Sequence, residues 1–163
     1  MDNFVGIQIF SYDGKTISSP KYSGLRPEYL TPQVISLSPD LLAIKDRTDE
    51  KLIHIFDIKT GSAIGESNMK HSADILEIAL NQSSSSVGRQ LAVLDKNREL
   101  SLTLALKPNF KKIGTMVETI AWNDESDTLA ALTDGKLVVW YYPNVMFIDE
   151  DIAPLTRLEK DAS

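Results

Sequence analysis

The chain has 163 residues, with 17 Lys and Arg against 23 Asp and Glu, so its formal charge is −6, and this acidity excludes the basic face a nucleic-acid binder needs. Apolar residues make up 42 % and charged residues 25 %, an ordinary globular balance over a length that suits one compact unit or a piece of a larger one. No apolar run approaches the ~18 residues of a membrane span, the acidic start Met1-Asp2-Asn3-Phe4 is no signal peptide, and the lack of cysteine removes disulfides, thiolate metal sites and Cys nucleophiles together.

In chain order, the dominant local period is two. Val5, Ile7, Ile9 and Tyr12 alternate up to the turn Asp13-Gly14, and Lys15 to Pro20 returns as a second strand. Val34 to Leu37 precedes the turn Ser38-Pro39-Asp40, and Leu42 to Asp46 and Leu52 to Ile58 follow, the last ending at Lys59-Thr60-Gly61. Glu77 to Leu80, Leu91 to Asp95 and the alternating Leu100, Leu102, Leu104 and Leu106 repeat that order before Pro108. Thr119 to Trp122, Leu129 to Thr133 and Leu137 to Tyr142 repeat it once more up to Pro143-Asn144. No stretch keeps a helical apolar stripe for 12 residues, although the tail from Asp149 to Lys160 has room for a short helix beyond Pro154.

Three segments thus share one order, with Leu37, Leu80 and Trp122 in the same place at spacings of 43 and 42 residues, and with the pairs Leu42-Ala43, Leu91-Ala92 and Leu129-Ala130 recurring behind them. A period of roughly 40–45 residues with four short strands per unit is that of a WD-type propeller blade. One four-stranded sheet cannot bury both its faces, whereas blade stacked on blade can. The small Ala suits the crowded inner strands, and Phe56 and Trp140 suit the wider gap between outer strands.

The fold class predicted is therefore all-β: a partial WD40-like β-propeller over residues 1–145, with a half blade at 4–22, blades at 31–70, 71–113 and 114–148, and a short C-terminal tail at 149–163. Some three and a half blades are fewer than the 4–8 of a closed ring. The reading is thus of a fragment or truncated product of a longer protein, with strand edges or blade faces left bare.

Several segments in one order and spacing carry a family resemblance. They are Ile17-Ser-Ser-Pro-Lys21, Ala43-Ile-Lys-Asp46, Asp49-Glu-Lys51, Leu94-Asp-Lys-Asn-Arg98 with Leu100, Gly114-Thr-Met-Val117, Ile120-Ala-Trp122, Val139-Trp-Tyr-Tyr-Pro-Asn144 and Asp161-Ala-Ser163. Together they resemble the second propeller of the intraflagellar transport protein 80 family over nearly the whole chain. The resemblance implies a non-catalytic scaffold within intraflagellar transport complex B, with other subunits of that complex as partners. It implies a place in the cytoplasm, the cilium and the basal body or centrosome, and a role in cilium assembly. The chain departs from standard WD repeats. Gly-His survives only as Lys70-His71, and Phe56-Asp57 and Trp140-Tyr141 stand where Trp-Asp would, so the usual hydrogen-bonded tetrad is expected to be mostly missing.

Candidate chemistry is sparse, and no catalytic, cofactor or metal site is assigned. His54 sits in a strand and His71 at a degenerate blade start bonded to a turn, without the clustering of a metal or acid–base site. Asp149-Glu150-Asp151 and Asp124-Glu-Ser-Asp127 read as solvated turns rather than cation loops. Ser83 to Ser86 lacks a nucleophile elbow and reads as a flexible connection open to phosphorylation. Asn81-Gln82-Ser83 matches a glycosylation acceptor that an intracellular chain never uses. Gly61 to Gly65 is no phosphate cradle, and Lys107, Lys111 and Lys112 read as a solvated strand edge. One cluster stands out: Trp140, Tyr141, Tyr142, Met146 and Phe147 form a candidate partner surface, unless a following blade or the tail from Ile152 to Leu158 covers them. The alternatives to a scaffold are a propeller-type hydrolase acting on glycans, with convergent carboxylates at a central channel, and a truncated regulatory isoform with an incomplete ring. The scaffold reading needs no small-molecule substrate, no cofactor, no nucleic acid and no membrane insertion.

Overall fold

The strands fall where the alternation places them. The computed structural model describes residues 7–20, 25, 27–64, 69–83 and 88–161. There the chain is β-strand and connecting turn, with helical character only in short 3-10 turns at Pro27–Tyr29, Pro143–Phe147 and Ala153–Thr156. Val5 and Tyr22 of the expected half blade, Gly65, Ser84 to Ser86 and the terminal Ala162-Ser163 lie outside the described residues.

Strands β1 (Ile9–Phe10) and β2 (Thr16–Ser18) form a two-stranded half-sheet across the Asp13-Gly14 turn. Three four-stranded antiparallel meanders follow. The first holds β3 (Ile35–Leu37), β4 (Leu41–Lys45), β5 (Leu52–Asp57) and β6 (Met69–Lys70). The second holds β7 (Ile75–Leu80), β8 (Gln90–Asp95), β9 (Leu100–Leu104) and β10 (Lys111–Gly114). The third holds β11 (Val117–Trp122), β12 (Thr128–Thr133), β13 (Lys136–Tyr141) and β14 (Arg157–Asp161).

The tail differs from its expected short helix. Beyond Pro154 there is a single 3-10 turn, and the chain then runs as β14 along the outer edge of β13, with Leu158 opposite Val139 and Lys160 opposite Leu137. The edge of β13 offers unpaired N–H and C=O groups, and pairing them satisfies more backbone than a short isolated helix could. The third sheet therefore extends to Asp161, past residue 148.

Register shows how far the repeat is physical. Leu37 lies opposite Leu42, Leu80 opposite Leu91 and Trp122 opposite Leu129, the same rung in each sheet. Side chains then sort by alternation into two faces. Leu41, Ala43, Ile53 and Ile55 of the first sheet form one buried cluster with Ile78, Leu80, Leu91 and Val93 of the second. Ala92, Leu94, Leu100 and Leu102, on the other face of the second sheet, bury with Ile120, Leu129, Ala131, Val138 and Trp140 of the third. Ile9 of the half-sheet caps the back of the first sheet over Leu42, Ile44, Phe56 and Ile58. Ala43 and Ala92 point toward the following sheet, where their missing side-chain bulk lets the sheets close up, and Ala130 holds the equivalent place on the outward face of the third sheet. Phe56 and Trp140 both point toward the preceding one.

One turn shows the local chemistry. β12 and β13 are joined by two residues, Asp134 (φ 45°) and Gly135 (φ 76°). Two consecutive positive φ values match the right-handed twist of a hairpin, and Asp-Gly is a pair that tolerates them.

Candidate interaction surface

The polar groups that could do chemistry are bound one by one at sheet junctions and turns. In the first sheet, Asp46 starts the turn after β4. Its Oδ2 accepts the N–H groups of Thr48 and Asp49 and the Thr48 hydroxyl, while Oδ1 lies 2.8 Å from His54 Nε2. Burial alone would raise this carboxyl, but the His54 ring and the turn donors outweigh it and bring Asp46 down to about 2. In the second sheet Asp95 holds the equivalent turn after β8. Its Oδ1 accepts the N–H groups of Asn97 and Glu99, and Oδ2 meets His71 Nε2 at 3.1 Å, both side chains being buried. His71 is thus bonded to a turn, as its position suggested. A His–Asp link of the usual tetrad survives in this blade although the Gly-His and Trp-Asp signatures do not.

Three further links cross from sheet to sheet. Arg89, almost wholly buried, donates from Nε to Asp40 Oδ1 (2.8 Å) in the first sheet's turn and from Nη1 to the backbone carbonyl of Asn81 (2.7 Å). Gln90 donates from Nε2 to Asp127 Oδ1 of the third sheet at 2.9 Å. Trp122 Nε1 donates to the carbonyl of Ala79 at 2.9 Å. Burial pushes the Asp127 carboxyl up, against the Gln90 amide and the Asn144 N–H, which favour its charge. Sequence reasoning missed this belt. It read Asp124 to Asp127 as a solvated turn and Asn81 as a glycosylation pattern, yet Asn81 is buried and its Oδ1 accepts the Gln90 N–H at 2.9 Å. The available signal was Arg89-Gln90 at the start of an apolar strand, where two polar residues need partners.

Lys111 and Lys112 lie on β10, the free outer edge of the second sheet, and pair with Glu150 and Glu99. Among the described residues no three His, Asp or Glu side chains gather as metal ligands, and no helix is long and apolar enough to cross a membrane.

The structure separates the five aromatic and apolar candidates. Trp140 is 5 % exposed and belongs to the core between the second and third sheets. Tyr141, one residue on, points to the opposite face of the third sheet and is 45 % exposed. Tyr142 turns the chain with a φ of 55° and stands out into solvent. Met146 and Phe147 are half-buried on the following 3-10 turn, Phe147 packing against the same core as Trp140. The solvent-facing members of the candidate surface are therefore Tyr141 and Tyr142, with Met146 and Phe147 partly available and Trp140 beneath.

Residues 1–163 match the family model described as the IFT80 second beta-propeller. The chain belongs to that family. Relatives include the intraflagellar transport protein 80 homologs of Rattus norvegicus and Mus musculus, each 44 % identical to it over 163 residues. The match covers 97 % of this chain and 21 % of either relative, so the chain spans about a fifth of their length. Among solved structures, Hsv2p of Kluyveromyces lactis superposes with a TM-score of 0.55 at 15 % identity, over 86 % of this chain and 45 % of the other. That likeness shows the fold alone. The family match bears out the all-β propeller class and the resemblance read from the short segments.

Proposed function

We propose that this IFT80-type propeller segment acts as a non-catalytic scaffold in intraflagellar transport complex B, in the service of cilium assembly and transport within the cilium. The observation that carries the reading is the family match along the whole chain. The polar chemistry supports it: Asp40, Asp95 and Asp127 are each tied to a separate partner at a separate junction, an arrangement that holds sheets together. Its partners are other protein subunits of that complex, and its place is the cytoplasm, the cilium and the basal body or centrosome. Tyr141, Tyr142, Met146 and Phe147 offer a contact zone, since exposed aromatics at the edge of a rigid sheet supply large contact area at low entropic cost.

The test is affinity purification of the tagged full-length protein from ciliated cells. Complex B subunits are expected to co-purify, and Tyr141→Ala with Tyr142→Ala is expected to weaken at least one of those associations. Clean failure of the full-length protein to bring down any complex B subunit overturns the proposal.

A further inference from the structure

We propose that a pocket on the first sheet, where it meets the second, takes an acidic side chain, Asp or Glu, from an extended segment of a partner protein. The pocket holds about 380 Å³, and Tyr29, Leu30, Val34, Lys45, Arg47 and Glu50 are among the residues that line it. Its walls come from the 3-10 turn Pro27–Tyr29, the run into β3, and the connection between β4 and β5. The Lys45 N–H donates to the Val34 carbonyl at 2.9 Å and ties two of these walls together. The second sheet fixes the rest. Ile75 N–H donates to the Glu50 carbonyl at 2.7 Å, Ile78 N–H donates to the Gln33 carbonyl at 2.8 Å, and Lys96 Nζ reaches the Glu50 carboxylate at 3.6 Å.

Arg47 gives the pocket its chemistry. Its guanidinium carbon lies 3.6 Å from the centre of the Tyr29 ring. The ring takes one face of the guanidinium, while the N–H donors lie in its plane, so the stacking orients the fork without using a donor. Among the described residues Arg47 has no hydrogen bond or ion pair. The charges beside it are already matched. Lys45, with a side chain only 11 % exposed, pairs with Glu50 at 2.6 Å, and Lys96 shares that carboxylate. Asp46 and Asp49 of the same connection turn to His54 and Lys70, at 2.8 Å each. Three cations thus meet one carboxylate around the pocket, in a chain where acidic residues outnumber basic ones by 23 to 17. A planar fork with free donors fits a carboxylate through two parallel hydrogen bonds. A single negative charge balances the one unmatched guanidinium, whereas a doubly charged phosphate would also crowd Glu50. Leu30 and Val34 give the methylene stem of the incoming side chain apolar cover. The volume lies at the small end of ligand pockets, suited to a side chain and its flanking backbone rather than a helix. The site is separate from Tyr141 and Tyr142, which belong to the third sheet.

The test uses the purified full-length protein and a fluorescein-labelled peptide of alternating Leu and Glu, with binding read by fluorescence anisotropy. The same peptide with Gln for every Glu, and Arg47→Gln in the protein, are each expected to weaken binding at least about tenfold, the cost of taking one partner from a hydrogen-bonded charge pair. Arg47→Lys keeps the charge without the fork and should recover only part of the loss, and Tyr142→Ala should leave binding unchanged. No binding of the Glu peptide overturns the proposal, as does undiminished binding by Arg47→Gln. A phosphoserine peptide that binds where the Glu peptide does not marks a phosphate site and overturns it too. Phenylglyoxal modification of the unsubstituted protein, read from peptide masses, checks the position without a variant. The Glu peptide should slow modification of Arg47 and spare none of Arg98 or Arg157, and equal rates at Arg47 with and without peptide overturn the inference. The scaffold proposal is judged by co-purification of complex B subunits, so either reading can fail without the other.

Discussion

Replacing Trp140 by alanine tests the stacking of the sheets directly. The indole is 5 % exposed and lies among Leu94, Leu100, Leu129 and Val138 at the junction of the second and third sheets. A buried aromatic of this size removes about 200 Å² from water, worth about 5 kcal/mol of transfer free energy at ~25 cal/mol per Å². Two features reduce the loss. The indole borders an open groove of about 560 Å³ that also touches Lys136, Arg157 and Glu159, so water can enter the space it vacates. The unfolded chain also keeps part of its apolar surface covered. The expected cost is about 3 kcal/mol, at the low end of Trp→Ala values in cores. For a chain of this length that lowers Tm by about 6–12 °C. Thermal unfolding by circular dichroism measures it, and Trp122, the other tryptophan, gives an independent fluorescence signal. Tyr141→Ala, one residue away on the opposite face, is the internal control and is expected to shift stability by less than about 0.5 kcal/mol in a chain whose outward face is uncovered. If Trp140→Ala moved Tm no more than Tyr141→Ala, the indole would not be a junction wedge and the stacking argument would fail.

Asp46 carries a pH signature. Its folded carboxyl sits at about 2 against an ordinary value of 3.8, so its contribution, about 2 kcal/mol, is fully present above pH ~4 and is lost as pH falls toward 2. Asp46→Asn should lower stability at neutral pH by about that amount and flatten acid unfolding between pH 4 and 2; an unchanged acid limb contradicts the assignment. Arg89→Met takes the guanidinium donor from the Asn81 carbonyl and from Asp40, whose Oδ1 keeps the Ser38 hydroxyl. Since Asp40 is one-third exposed and can rehydrate, the cost in denaturant unfolding should be about 2–3 kcal/mol, below that of a fully buried broken pair. Two glycines should behave oppositely. Gly61 has a φ of +73° and an added Cβ would lie 3.3 Å from Ser18 Cβ, so Gly61→Ala should cost more than about 1 kcal/mol. Gly114 has no such φ, and its added Cβ meets Val117 and Trp140 at 3.4 and 3.6 Å, so Gly114→Ala should be nearly neutral. Equal Tm shifts for the two would show that backbone handedness is not what Gly61 supplies.

Period two, Leu-Ala pairs and the regular return of Leu37, Leu80 and Trp122 were enough to specify antiparallel sheets in a repeating stack. Strand formation and face assignment depend on local alternation, and alternation is written in the order of residues. The partners of Arg89, Gln90 and Asp127 were not legible. Such links depend on which turn of one sheet lies over which strand of the next, and a linear pattern carries no record of that distance. The same holds for the tail: Arg157 to Asp161 has Leu158 as its single apolar residue and carries no strand period of its own, and only the vacant edge of β13 makes it a strand. The aromatic segment shows both sides of the division. Its residue types announced a large apolar surface, but one step along a pleated strand reverses the side chain. That reversal sends Trp140 into the core and leaves Tyr141 on the open face.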